Sequence, residues 1–288
     1  MNDRFGIGWR PELAAGILSN LHRIDIVEVI ADDYFDAPSA QRRSLRTLAR
    51  QIPLALHGVS LGLASAVAVD KRRLEQTARL IAEVQPEFWS EHLAFVRGGG
   101  LEIGHLAAPP RTQATIDGAA QNLAAAKRIV GSAPLVENIA TIIDPPGSKL
   151  TEADWTRQIL NAANGQLLLD LHNLYANAVN FDFDPYDYID RLPQESICVI
   201  HVAGGRWITA NSSNQRRLLD DHLHDVPTEV YELLHHIGRR TTHQLTVILE
   251  RDGRYPSFQM LMSQLDRARE TIKLARAKQP FEANTVAA

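Results

Sequence analysis

The chain has 288 residues, 45% hydrophobic and 22% charged, and its 30 lysines and arginines against 34 aspartates and glutamates leave a formal charge of −4. That composition excludes a disordered chain and provides no global positive field to draw the protein onto nucleic acid or anionic lipid. A lone cysteine, Cys198, cannot form an internal disulfide, no signal-like run opens the sequence, and no stretch of about 18 apolar residues occurs, so a cytoplasmic globular protein without a membrane span is expected.

In chain order, apolar runs at 5–9, 24–30, 53–59, 88–94, 134–139, 166–172, 197–202 and 245–250 read as strands. Helical spacing recurs between and after them at 11–21, 40–51, 70–84, 114–129, 152–162, 185–192, 228–237 and 258–277. Pro11-Glu12, Thr151-Glu152-Ala153-Asp154 and Pro227-Thr228-Glu229 are helix-start signals. Runs such as Leu167-Leu168-Leu169 are nearly continuous, as in parallel strands covered by helices. Eight such units predict an α/β protein, a (β/α)8 TIM barrel forming one domain over residues 1–288 with a short tail from 279. An open doubly wound sheet is the alternative. Gly98-Gly99-Gly100 lacks the context of a phosphate cradle and reads as a hairpin or lid.

Ionisable residues close the apolar runs: His57, His92, Glu137, Asp170 followed by His172 and Asn173, His201 and Glu250, with Asp220-Asp221-His222 in the loop after the seventh strand. Each alone reads as a satisfied core histidine or a helix cap. Together they lie at the carboxyl ends of the strands, which in a barrel converge on one mouth. Four histidines with several carboxylates exceed the ligands of a single zinc and imply two or three metals bridged by a carboxylate. Imidazole and carboxylate without thiolate suit iron, manganese or zinc. No Gly-x-Ser-x-Gly elbow is present, and Cys198 reads as a core residue. The clusters Arg42-Arg43 with Arg46 and Lys71-Arg72-Arg73 read as solvated helix faces; His105, His235 and His236 read as structural, and His224 stays open.

These residues sit in Gly6-Ile7-Gly8-Trp9-Arg10, His57-Gly58-Val59-Ser60-Leu61, Ser90-Glu91-His92-Leu93, Val136-Glu137-Asn138, Asp170-Leu171-His172-Asn173 with Asn177-Ala178-Val179-Asn180, His201-Val202-Ala203-Gly204-Gly205 and Asp220-x-His222. From about Gly6 to Ala277 the chain thereby resembles the multinuclear non-heme iron-dependent oxidative enzymes, a family with xylose isomerase-like barrels whose best-known member makes the oxazolone and thioamide of methanobactin. The resemblance implies an oxidase of cysteine-containing, ribosomally made precursor peptides, using two or three irons in mixed Fe(II)/Fe(III) states and dioxygen as co-substrate. It implies His57, His92 and Glu137 on one metal; Glu137, Asp170, His201 and Glu250 on a second; and Asn173, Asp220 and His222 on a third. The family commonly has Asp-x-Asn-Asn where this chain has Asp170-Leu171-His172-Asn173, which leaves His172 and Asn173 as alternative ligands; strand alternation sets His172 on the side of Asp170. A metal-dependent phosphodiesterase or nuclease on the same barrel is the rival function; a sugar isomerase would need a strand-end lysine that is not visible, and an accessory metal-binding protein would show no turnover. With all strands spent on the barrel and no free sheet edge, a separate partner is expected to bind the peptide's leader.

Overall fold

The computed structural model describes residues 2–209 and 216–277; the tail expected from 279 falls outside them. Among the described residues the strands are β1 (Arg4–Gly8), β2 (Ile26–Ile30), β3 (Leu54–Gly58), β4 (Phe88–His92), β5 (Phe95–Gly98), β6 (Leu101–Ala107), β7 (Leu135–Glu137), β8 (Leu167–Asp170), β9 (Ile197–Val202), β10 (Arg206–Thr209), β11 (Arg216–Leu219) and β12 (Thr246–Leu249). The helices are α1 (Ala14–Ser19), α2 (Ser39–Ala49), α3 (Lys71–Val84), α4 (Gln113–Val130), α5 (Glu152–Ala163), α6 (Leu171–Phe181), α7 (Pro185–Arg191), α8 (Thr228–Arg240) and α9 (Phe258–Ala277). Eight parallel strands close in the order β1-β12-β9-β8-β7-β4-β3-β2, the TIM barrel that the eight apolar runs predict. No described helix is long and apolar enough to cross a membrane.

The strands are apolar throughout because both their faces are buried. Outward residues such as Val27, Leu56, Leu169 and Ile200 join helix residues such as Leu45, Leu74, Ile159 and Leu265 in one cluster. Inside the barrel, Ile26, Ala55, Leu135, Leu168, Val199 and Ile248 make a second apolar cluster. Two residues further along each of these strands, and so facing the same way, stand Glu28, His57, Glu137, Asp170, His201 and Glu250. The barrel interior is thus an apolar plug with an ionisable layer on top.

The run 166–172 ends as a strand at Asp170, whose side chain accepts a hydrogen bond from the Asn173 N–H at 2.6 Å and caps α6. Strand alternation therefore does not reach His172: it lies in the first helical turn, and the helix rather than the strand brings it beside Asp220 and His222. The strands are also not all spent on the barrel. β5 and β6 form one antiparallel hairpin and β10 and β11 another, each following the carboxyl end of a barrel strand. Gly99 and Gly100, both at positive φ (57° and 81°), make the two-residue turn between β5 and β6. Most of β6 is exposed, so the alternating signature of a half-buried strand is missing there.

Candidate metal centre

Strand register brings the ionisable layer together: His92 is opposite Glu137, and Asp170 is opposite His201. Glu137 is the hub. Its Oε2 lies 3.2 Å from His57 Nε2 and 3.2 Å from His92 Nε2, while its Oε1 lies 3.3 Å from His201 Nδ1. His201 Nδ1 is also 3.1 Å from Glu250 Oε2 and 3.9 Å from Asp170 Oδ2. On the far side His222 places Nδ1 3.1 Å from Glu250 Oε2 and Nε2 2.8 Å from Asp220 Oδ1. Its backbone takes φ 51°, a left-handed conformation uncommon outside glycine, and strain of this kind persists where surrounding contacts fix a functional side chain.

The residues fall into overlapping sets whose ligand atoms lie within 4.8 Å of one another: His57, His92 and Glu137; Glu137, Asp170, His201 and Glu250; His172, Asp220 and His222; and His222, Glu250 and Asp252. Glu137 and Glu250 each belong to two sets. Six buried atoms here have no hydrogen-bond partner: Glu137 Oε2, Asp170 Oδ2, His172 Nε2, Asn173 Oδ1, His201 Nδ1 and His222 Nε2. Each such orphan costs about 1–3 kcal/mol in a dry interior. Their convergence on shared points is what cations would repay, so the residues present fit a cluster of metal ions held by nitrogen and oxygen.

The imidazoles are held from behind. His57 Nδ1 is 2.7 Å from Ser90 Oγ, His92 Nδ1 is 3.1 Å from the Gly58 carbonyl, and His201 Nε2 is 3.0 Å from Glu28 Oε1, so each ring turns its other nitrogen to Glu137. Such partners fix ring orientation and raise ligand basicity. Asn138 Oδ1 accepts from the Asp170 N–H (2.9 Å), and its Nδ2 donates to the Asp170 carbonyl (3.0 Å).

Burial would raise the Glu137 carboxyl, but His92, His57 and His201 outweigh it and hold it below the usual range. Burial opposes charge on His92, yet Glu137, with Glu91, brings its pKa up to about 9. Asp170 is pushed up to about 8, by burial first; His222 pulls it down, and Asp220 and Glu137 add to the rise. Burial likewise works against Glu250, which His222 and His201 draw well below the carboxylate range. Without cations, the pairing favours the carboxylates of Glu137 and Glu250 with the imidazoliums of His92, His201 and His222, while Asp170 holds its proton more tightly.

His172 and Asn173 face different surroundings. His172 Nδ1 is 2.6 Å from Asp220 Oδ1, and a Cβ on Gly205 would come within 2.5 Å of its Cε1 and 3.0 Å of its Nε2. Asn173 donates Nδ2 to the Asn138 carbonyl (3.0 Å), leaving Oδ1 unpartnered, and lines the cleft above the centre. In Gly205→Ala the added Cβ would also run into the Leu219 carbonyl, so the substitution is expected to displace β11 as well as push His172 off Asp220, costing about 1–3 kcal/mol of stability and metal from the Asp220 and His222 set; thermal melts and metal analysis check it. His224 bonds Asp221 (Nδ1 to Oδ1, 2.9 Å) and is in none of the ligand sets. His224→Ala should leave metal content equal to the parent's.

The centre lies at the foot of a cleft of about 1040 Å3. It is lined by the end of β6 with His105, Leu106 and Ala107, by residues of the 139–146 segment including Ile142 and Ile143, and by Leu218 and Leu219 of β11. Two asparagines of α6 pin these walls. Asn177 donates to the Ile139 carbonyl and accepts from the Thr141 N–H (both 2.9 Å), and Asn180 donates to the Leu218 carbonyl (2.9 Å) and accepts from its N–H (2.8 Å). Sequence reasoning missed Glu28, Ser90, Asp252 and Arg10, whose guanidinium bonds Asp252 and lies 3.6 Å from Glu250. The legible signal for Glu28 was a carboxylate within an apolar strand.

Solved structures share the fold. L-ribulose 3-epimerase matches with TM-score 0.57 at 15% identity over 96% of each chain, and endonuclease IV from Thermus thermophilus with TM-score 0.56 at 14% identity over 94% of this chain and 99% of that one. A UPF0276 protein of Acaryochloris marina is 33% identical over 91% of this chain and 92% of its own length. A UPF0276 protein of Streptomyces avermitilis is 36% identical over 94% of this chain, which spans only 55% of that relative. The family whose model matches residues 4–273 is described as the RiPP precursor modification enzyme MbnB/TglH/ChrH, enzymes that modify ribosomally made precursor peptides, and the chain belongs to it.

Proposed function

We propose that this protein is a cytoplasmic, multinuclear iron-dependent oxidase that uses dioxygen to modify cysteine residues of a ribosomally synthesised precursor peptide, with two or three irons in mixed Fe(II)/Fe(III) states. The observation that carries the reading is the set of ligand groups joined through Glu137 and Glu250 at the foot of a peptide-sized cleft. The proposed ligands are His57, His92, Glu137, Asp170, Asn173, His201, Asp220, His222 and Glu250. Asn173 Oδ1 and His172 Nε2 are both unpartnered, and Asn173 is the one of the two that lines the cleft, so Asn173 is the proposed ligand with His172 as the alternative.

Bound iron supplies electrons to dioxygen and a coordination position for sulfur. The chain does the rest. Glu137 and Glu250 keep the ligand sets adjacent, Glu28 and Ser90 hold imidazoles in register, and the apolar walls bind the residues flanking the cysteine and exclude water from the reacting centre. The rival phosphodiesterase reading is less well supported, because the cleft carries Asp33, Asp221 and Asp252 with Arg10 as the one arginine or lysine among its described lining residues. A polyanion meets repulsion there.

A separate leader-binding protein remains part of the proposal. Free hairpin edges remove one reason for it, but the described elements form the barrel, its helices and two hairpins, with no winged-helix module among them. Co-purification should recover the partner. Unchanged kcat/KM on the full-length peptide with and without it would sink that claim. For the oxidase itself, iron-supplemented protein should hold more than one iron per chain and couple dioxygen uptake to a mass change in the cysteine peptide. One iron or less, with the nine ligands intact, defeats the multinuclear reading.

A further inference from the structure

His105 reads from the sequence as structural, and the hairpin gives it a different setting. Arg97 of β5 pairs with Glu102 of β6, but Phe95, two residues back, pairs with Ala107, five residues on. The extra residues of β6 form a bulge containing Gly104 at φ 80°, a conformation favouring glycine, and around which a Cβ would meet nothing within 4 Å. Bulges re-aim side chains beside active sites. This one leaves His105 exposed and lining the same cleft as the buried His57, His92 and His222.

Among the described lining residues His105 is the one imidazole outside every ligand set. The other ionisable groups of the rim are less suited to take a proton from a thiol. Asp221 is engaged by Arg206, His224 and the Leu223 N–H, and Asp252 by Arg10. Asp33 offers a carboxylate, and carboxylates as a class are far weaker bases toward a thiol than imidazoles are. A cysteine must shed its proton before its sulfur can serve as a metal ligand.

We propose that His105 is the general base of this site, taking the proton from the substrate thiol as it enters the cleft. The S–H bond breaks, its electron pair stays on sulfur, an N–H bond forms on the imidazole, and the exposed ring passes the proton to water. The proposal rests on the thiol-oxidase reading above.

The test needs no identified peptide. Cobalt(II)-loaded protein is mixed anaerobically at neutral pH with 2-mercaptoethanol or with the more acidic 2,2,2-trifluoroethanethiol, and thiolate-to-cobalt absorption is followed by stopped flow. In His105→Gln, with cobalt content equal to the parent's, capture of 2-mercaptoethanol should slow by about a hundredfold, and capture of trifluoroethanethiol far less. Added imidazole should restore His105→Ala. Equal slowing of both thiols, or no slowing, overturns His105 as the base while leaving the oxidase reading intact. No thiolate absorption in the parent with either thiol overturns both.

Discussion

Glu137→Gln is expected to lose at least one iron per chain and to lower turnover by more than about a hundredfold, the upper end of what mutating a partner of a metal ligand costs. The substitution keeps volume and removes one charge, so its effect isolates that charge. The Glu137 carboxylate faces His57 and His92 through one oxygen and His201 through the other, and it is the group that the first two sets have in common. An amide offers one neutral oxygen and cannot bind two cations symmetrically. Glu28→Gln is the control: Glu28 touches His201 from behind and is in none of the ligand sets, so it should retain iron better. Elemental analysis with turnover separates the two. Equal iron in Glu137→Gln and the parent would show that the bridge is misassigned.

Removing metal should make stability depend on pH with a definite sign. In the metal-free protein His92 is raised from 6.5 to about 9 and Asp170 from 3.8 to about 8, and His201 and His222 are also raised. A group with a higher pKa folded than unfolded stabilises the fold in its protonated form. The His92 contribution is therefore complete below 6.5 and lost as pH rises through about 9; that of Asp170 is lost between 3.8 and about 8. The Tm of chelated protein should fall from pH 6.5 to 9. Metal binding needs neutral imidazoles and ionised carboxylates, so its affinity rises over the same range. Metal at a thousand times its Kd contributes about 4 kcal/mol per site, roughly ten degrees for a chain of this size. Calorimetry at pH 6.5, 7.5 and 9 with and without chelator should show the gap widening; a constant or narrowing gap contradicts the linkage.

The barrel was legible because parallel strands buried on both faces leave apolar runs, and the ligand layer because charge at the end of such a run is costly. Less was legible where local hydrogen bonding overrode the pattern. Asp170 looks like one more residue of a strand until its side chain caps α6, and that switch carries His172 into the first helical turn, where it meets Asp220 and stays a candidate ligand beside His222. The β5–β6 hairpin showed only through its glycine turn and β10–β11 not at all, because the hairpins bury little and nothing imposes alternation on 101–107. Glu28 left a signal, a carboxylate within an apolar strand, but not at the run's end where the proposed ligands stand; Arg10 stood in the opening motif without a role, and Asp252 lies in a loop, where no periodicity marks it.

The seam between β1 and β12 joins the two ends of the barrel, and Glu250 follows the strand that closes it. During synthesis His57, His92 and Glu137 leave the ribosome while Asp170, His201 and Glu250 are still unmade, so the nascent chain offers only an open three-residue chelator. The rest arrives with the strand that shuts the barrel. On the proposed metal reading, choice of metal would thereby be deferred to a finished cavity of fixed shape, and set by the ions that the completed protein meets.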